Sequence, residues 1–289
     1  MGLTYIPRAQ ALTTFSERFP FFSSPQTVLE NWSKASGECT PVKVANRWNY
    51  DEAGFVAWLD DIEKSLVFLQ SDSYDRCLTF AIEAYYMMTR ADFGASQQRD
   101  LGKFITNQVT GKLGELALRE ILLQRQGLLI DLDFSITGQI PSQDIERIST
   151  REVAGKPLWN VPAIKTSIKS TKLKNYLLAL PPGEVSQEDR RSDIYALVQV
   201  DLPQDHLLRS LKNADFAPMA AAAALVPDLG RITARIAGWT TYQEVIDSGL
   251  KTAEEIGRSF GVEMRDNYVL PSSALHRDIA TLADKIIRG

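Results

Sequence analysis

The chain has 289 residues, 44% of them hydrophobic, enough for a substantial core and against global disorder. Its formal net charge of -4 excludes a global positive field, although a local basic patch is compatible with that total. Two cysteines and two histidines exclude a histidine-rich zinc site and argue against Ser-His-Asp and Cys-His hydrolases, leaving carboxylates and lysines to carry any chemistry. Cys39 and Cys77 lack metal-ligand spacing and fit a reduced compartment. The first eight residues, Met1 to Arg8, have no basic region followed by an apolar core. The longest uncharged run, 216–227, is too short to span a bilayer, so a cytoplasmic protein is expected. There is no Walker loop and no Gly-x-Gly-x-x-Gly after a strand.

Residues 1–45 read as irregular, punctuated by Pro7, Pro20, Pro25 and Pro41. Helical spacing follows between Tyr50 and Thr89. Phe55, Leu59, Ile62, Leu66 and Leu69 recur at threes and fours, and so do Leu78, Ile82, Tyr85 and Met88. An N-terminal helical subdomain or arm over 1–95 is therefore expected, ahead of a catalytic domain over 96–289. A long helix is predicted from about Asp100 to Gln126, with Gly127 as its stop. Gly111 and Gly114 inside it cost roughly 1 kcal/mol each against alanine, which suggests close packing or a backbone approach.

Beyond Gly127 the period becomes two. Strands are predicted at Leu128–Ile136 with a turn at Gly138, near Gln143 to Ile145, in the run from Val161 to Lys174, at Tyr176–Leu180 and at Asp193–Val200. A helix followed by closely spaced strands indicates an α+β or mixed α/β core with a hairpin. Farther on, Ile232–Gly238 reads as a strand, Thr241–Gly249 and Thr252–Phe260 as short helices, and Leu275–Ile287 as a terminal helix. Thr252 and Glu255 form a capping-box pattern. His206 and His276 read as surface or cap residues, and the 261–275 segment as packing before recognition or dimerisation.

The third strand is the most informative stretch. Alternation puts Lys165, Ser167 and Lys169 on one side and Ile164, Thr166 and Ile168 on the other. Lysines on one face of a half-buried strand suggest a polar site at a sheet edge, or else an edge strand guarded against aggregation. Four pieces lie in order: Gly-Lys-Leu-Gly-Glu115 on the long helix, Ser-Gln-Asp144 at a strand start, Ser167-Ile-Lys169 on the next strand, and Leu-Pro-Pro-Gly-Glu184. This order, over about residues 100–200, resembles the PD-(D/E)xK nucleases, and type II restriction endonucleases in particular. The resemblance implies a mixed sheet flanked by helices, with Asp144 as metal-binding aspartate, Lys169 as catalytic lysine and Glu115 as the helix glutamate. Asp131 and Asp133 are rival carboxylates.

Phosphodiester hydrolysis needs an aligned water and relief of charge on the reacting phosphate, which Mg²⁺ held by carboxylates and a neighbouring lysine supply. The chain departs from the family at Ser167, where an acid is expected. Ser-x-Lys members related to the Cfr10I type bring a carboxylate from farther along, which here points to Glu184, with Glu188 as a fallback. Lys165, Ser167, Ser170, Lys172 and Lys174 suit DNA backbone contacts, extended by Arg147, Arg151, Lys156, Arg190 and Arg191. The resemblance implies double-stranded DNA as substrate, products with 5′-phosphate and 3′-hydroxyl ends, a homodimer, and a cognate DNA methyltransferase in the same system. The alternatives are a repair or structure-specific nuclease on the same core, or an inactive DNA-binding protein.

Overall fold

The computed structural model describes residues 4–87, 101–135, 143–215, 228–262 and 264–289. The chain begins with β1 (Tyr5–Pro7), α1 (Arg8–Arg18), α2 (Pro25–Glu30), a π-helical turn (Asn31–Ala35), β2 (Val42–Val44), β3 (Arg47–Asp51), α3 (Glu52–Ser65), β4 (Leu66–Leu69) and α4 (Ser71–Met87). The middle comprises α5 (Leu101–Gln126), β5 (Leu129–Leu132), β6 (Ile145–Ser149), β7 (Glu152–Val153), β8 (Lys156–Pro157), β9 (Thr166–Lys172), β10 (Leu177–Leu180) and α6 (Pro182–Ser186). It ends with β11 (Ile194–Asp201), α7 (His206–Asp215), β12 (Ile232–Thr241), α8 (Tyr242–Ser248), β13 (Leu250–Lys251), α9 (Ala253–Phe260), β14 (Asn267–Pro271) and α10 (Ile279–Arg288). The protein is thus mixed α/β, as its pattern indicates. No described helix is long and apolar enough to cross a membrane. The uncharged run 216–227, the expected turn at Gly138 and the residues just after 95 lie outside the described residues.

The central sheet has the order β4-β12-β11-β9; β9 and β11 are parallel and the other pairs antiparallel. Its inner strands β11 and β12 are buried nearly end to end, as strands covered on both faces require. One face carries α5, whose Val109, Leu113, Ala117 and Ile121 meet Ile194, Ala196 and Val198. The opposite face carries Tyr195 and Leu197, packed under Val185 of α6, Val245 of α8 and the β10–β14 pair. Gly127, at φ +62°, ends α5, and its N–H returns to the Leu123 carbonyl at 3.0 Å.

Gly114 shows why α5 contains a glycine. A Cβ there would lie 1.9 Å from Ser170 Oγ, so the helix approaches β9 with no room for a methyl group. Gly111 meets nothing within 4 Å, but its carbonyl accepts the Ser170 hydroxyl at 3.1 Å. The glycine pair thus marks the helix–sheet seam that holds α5 beside the lysine strand.

The N-terminal third is not an appended arm. Leu66 and Leu69, which keep helical spacing, belong to β4, an edge strand of the central sheet paired with Ile232 to Arg235 of β12. The helix α4 packs on α5. Residues before 45 also contain α1, α2, β1 and β2, with an aromatic cluster of Phe15, Phe19, Phe22 and Trp32. The expected division near residue 95 is therefore crossed by the sheet itself. This third is also anchored by Glu38, whose buried carboxylate meets Arg235 of β12 at 2.7 Å and Arg277 at 3.2 Å.

His206 corrects its surface reading. It is 1% exposed, with Nδ1 2.7 Å from the Tyr74 hydroxyl and Nε2 3.0 Å from Thr106 Oγ1, so it ties α7 to α4 and α5. Burial pushes its pKa down to about 4. His276 does lie at the surface, against Glu244 at 2.6 Å. The 272–276 segment packs: Ser272 donates to Glu38, and His276 bridges to Trp239 beside Gly238. At φ +149°, Gly238 has no space for a Cβ, which would lie 2.7 Å from the His276 carbonyl oxygen.

Candidate functional site

The site is organised around the start of β9, an outer strand of the central sheet. Its first three residues, Thr166, Ser167 and Ile168, are all buried, so the strand is covered on both faces before its lysines emerge. The backbone of Lys165 fastens this end to β11: its N–H donates to Asp193 Oδ2 at 2.8 Å, and its carbonyl accepts the Asp193 and Ile194 N–H groups.

Asp144, immediately before β6, reaches this strand end. Its N–H donates to the Thr166 carbonyl at 3.2 Å. Its Oδ2 accepts the Ile168 N–H at 2.6 Å and the Ser167 hydroxyl at 3.3 Å. No described residue donates to Oδ1, which leaves half of the carboxylate for another partner. The strand paired along β6 is β5; β9 pairs along its length with β11 and meets residue 144 at its beginning. The expected hairpin between the aspartate strand and the lysine strand is thereby reduced to this edge contact.

On the α5 side, Glu115 is 8% exposed and paired with Lys112 at 2.8 Å. Burial drives its pKa up; Lys112 opposes this, and the negative charges of Asp144 and Asp133 add to the rise, giving about 7. Lys112 also donates to the Asp133 carbonyl at 2.6 Å and lies over the Phe80 and Phe134 rings. Lys112 is the site residue that the motif order did not single out. Its spacing three before Glu115 on a helix is the signal that would have found it.

Lys169 faces the other way. Ser170 turns toward α5, so its neighbour points to the opposite face, where Val185 of α6 packs on Tyr195 and Leu197. There Lys169 Nζ meets Glu184 Oε1 at 2.5 Å. Pro182 opens α6 and sets Glu184 in its first turn. The structure therefore brings Glu184 to Lys169, and Glu115 into the electrostatic reach of Asp144, with Asp144 and Ser167 at the strand edge between them. Among the described residues, no three His, Cys, Asp or Glu side chains gather into one metal-holding group.

The expected DNA-contact residues divide. Ser167 is buried against Asp144, and Ser170 is a helix–sheet contact rather than an outward group. Lys172 and Lys174 are exposed at the far end of β9 and line a cleft there. Arg147 pairs with Asp131, which removes that rival carboxylate from the site, and Arg191 lies 3.7 Å from Glu188. Among the described residues, two buried side-chain atoms lack a hydrogen-bond partner: Thr166 Oγ1, on the residue that receives the Asp144 N–H, and Arg119 Nε, one turn past Glu115 on α5. Such atoms are uncommon.

No family model, curated protein or solved structure was found to match the chain.

Proposed function

We propose that this chain is a Mg²⁺-dependent DNA endonuclease of the PD-(D/E)xK type, acting as a type II restriction enzyme on double-stranded DNA in a homodimer. The observation that carries this reading is the junction at β9: Asp144 bonded to Ser167 and Ile168, with the next residue, Lys169, paired to Glu184. Glu184, the carboxylate read as compensating for Ser167, is the partner of that lysine.

The donor chemistry fits Mg²⁺, which takes hard oxygen ligands, often only one or two carboxylates with water and phosphate completing the shell. Asp144 and Glu115 would hold it, while Glu184 is engaged with Lys169 on the opposite face of β9 and does not join them as a third donor. When bound, the ion would supply Lewis-acid relief of phosphate charge and a more acidic water. Ile168 and Ser167 fix Asp144 by one oxygen, and no described residue donates to the other. Glu115 is held in a desolvated niche whose excess negative charge favours a cation. Lys169, steadied by Glu184, offers its ammonium to the attacking water and to the phosphate oxygens that gain charge.

The test is plasmid digestion with Mg²⁺ and with a chelator, for the parent and for Lys169→Ala. Discrete fragments that require Mg²⁺ and fall by about 10²-fold or more in the variant support the reading. A smear points to a nonspecific nuclease on the same core. The second reading, an inactive DNA-binding protein, is favoured by Ser167 at the acidic position and by the Lys169–Glu184 pair. DNA binding without cutting at any divalent metal would establish it and exclude the enzyme.

A further inference from the structure

We infer that the cleft at the carboxyl ends of the parallel strands β9 and β11 is a binding site for a small phosphate-bearing ligand, separate from the Asp144–Lys169 site. The cleft has a volume of about 450 Å³, in the range of small-molecule sites and too small to enclose a duplex. It lies beyond the carboxyl ends of β9 and β11, the parallel pair of the mixed central sheet. Lys172 is four residues past Ile168, roughly 13 Å along the strand from the Asp144 contact.

Its charge is unevenly spent. Lys172, Lys174, Arg209 and Arg231 line it, against two carboxylates, Asp201 and Asp205. Both acids are already engaged. Asp201 takes the Ser23 N–H at 3.1 Å and the Ser23 hydroxyl at 2.8 Å, and Asp205 takes Arg209 at 2.8 Å. Among the described residues, no carboxylate pairs with Lys172, Lys174 or Arg231. The Arg231 guanidinium is set over the Phe68 ring, 4.2 Å from its centroid, which holds a planar donor fork at the wall. Leu173 and Val200 are buried and floor the cleft.

Convergent cations on a partly apolar cavity match a compact, multiply charged anion carried on a small organic body. Arginine and lysine together favour phosphate oxygens. A DNA backbone would instead present its phosphates along a convex surface. The same lysines read from sequence as DNA contacts thus acquire a different ligand.

The experiment is calorimetric titration of the full chain with inorganic pyrophosphate in the presence of chelator, which keeps divalent metal out of the measurement. Saturable one-to-one binding is expected. Lys172→Ala and Arg231→Ala should each weaken it about tenfold, the effect of losing one charge-assisted hydrogen bond. Lys172→Arg should retain it, and Lys64→Ala on α3 should leave it unchanged. Absence of heat at millimolar pyrophosphate would overturn the inference, as would binding indifferent to Lys172→Ala and Arg231→Ala. A parallel titration with duplex DNA separates the sources: loss of duplex binding in these variants without any pyrophosphate binding would make the cleft a backbone contact and also overturn it. Because no readout is cleavage, the outcome is independent of the nuclease reading.

Discussion

Two buried glutamates, Glu38 and Glu115, suffer the same desolvation and end in opposite states. Burial works to raise the Glu38 carboxyl, yet the charge and hydrogen bonds of Arg235, with Arg277 and Ser272, hold it below the ordinary range. Trp58 Nε1 adds a further donor at 3.1 Å. Glu115 has one cation, Lys112, and two neighbouring carboxylates, and it rises to about 7. The contrast separates a buried charge that is fully matched from one left short of positive charge. The first knits the N-terminal third to β12 and the C-terminal segment; the second is the kind of vacancy in compensation at which binding sites are found.

The largest way to break the comparison is Arg235→Met, which strands Glu38 without its main partner. It should cost about 3–5 kcal/mol in urea unfolding, whereas loss of less than 1 kcal/mol would mean that Arg277 alone suffices. Next is pH. Because the folded value of Glu115 lies above its ordinary 4.5, the stability it contributes is complete below about pH 4.5 and is lost as pH rises through about 7. Relative to the parent, Glu115→Gln should therefore gain up to about 3 kcal/mol between pH 4.5 and 8. His206 acts in the opposite sense, its contribution being lost as pH falls from 6.5 through about 4, so the difference between variant and parent at each pH is the quantity to measure. A parallel pH dependence in both proteins would show that Glu115 is not the group responsible.

Gly114→Ala sharpens the comparison through the seam that positions Glu115. A methyl group against Ser170 should cost about 1–3 kcal/mol, partly recovered by adding Ser170→Gly. Full stability in Gly114→Ala would mean that α5 can withdraw from β9 at no cost. The smallest effect is that of Mg²⁺ itself. At ten times its Kd it should stabilise the parent by about 1.4 kcal/mol and Glu115→Gln by less, read as a shift in unfolding midpoint. Equal shifts in both would remove Glu115 from the cation's surroundings.

The long helix was legible in the sequence because its period and its stop agree: it runs over Leu101–Gln126, against an expected 100–126. The Thr252–Glu255 capping box is present as read. The strand β4 was not legible, because Leu66 and Leu69 extend a helical spacing that only pairing with β12 overrides. The β14 strand, paired with β10, and β1, paired with β3, are likewise decided by partners distant in sequence. At the site, the order Glu115, Asp144, Lys169, Glu184 was visible, with Glu184 read as the carboxylate standing in for the acid missing at Ser167; its pairing with Lys169 was not. The edge geometry of Asp144 and the cleft beyond Lys172 depend on tertiary juxtaposition, which no local pattern encodes, whereas the Lys112–Glu115 pair is a local helix spacing that the sequence does carry.

The position of β4 has a consequence for how the molecule forms. Its partner strand is more than 160 residues away, the Arg235–Glu38 contact spans 197 residues, and the Ser272–Glu38 contact spans 234. During synthesis residues 38–69 cannot close the β4 edge or neutralise Glu38 until the chain as far as Arg235 has left the ribosome. Closing loops of that length delays the reward for ordering them, and it leaves the β4 edge and the aromatic cluster exposed in the interim. Slow refolding and aggregation of chains truncated before Arg235 follow from this single pairing, because such fragments carry the strand without its mate.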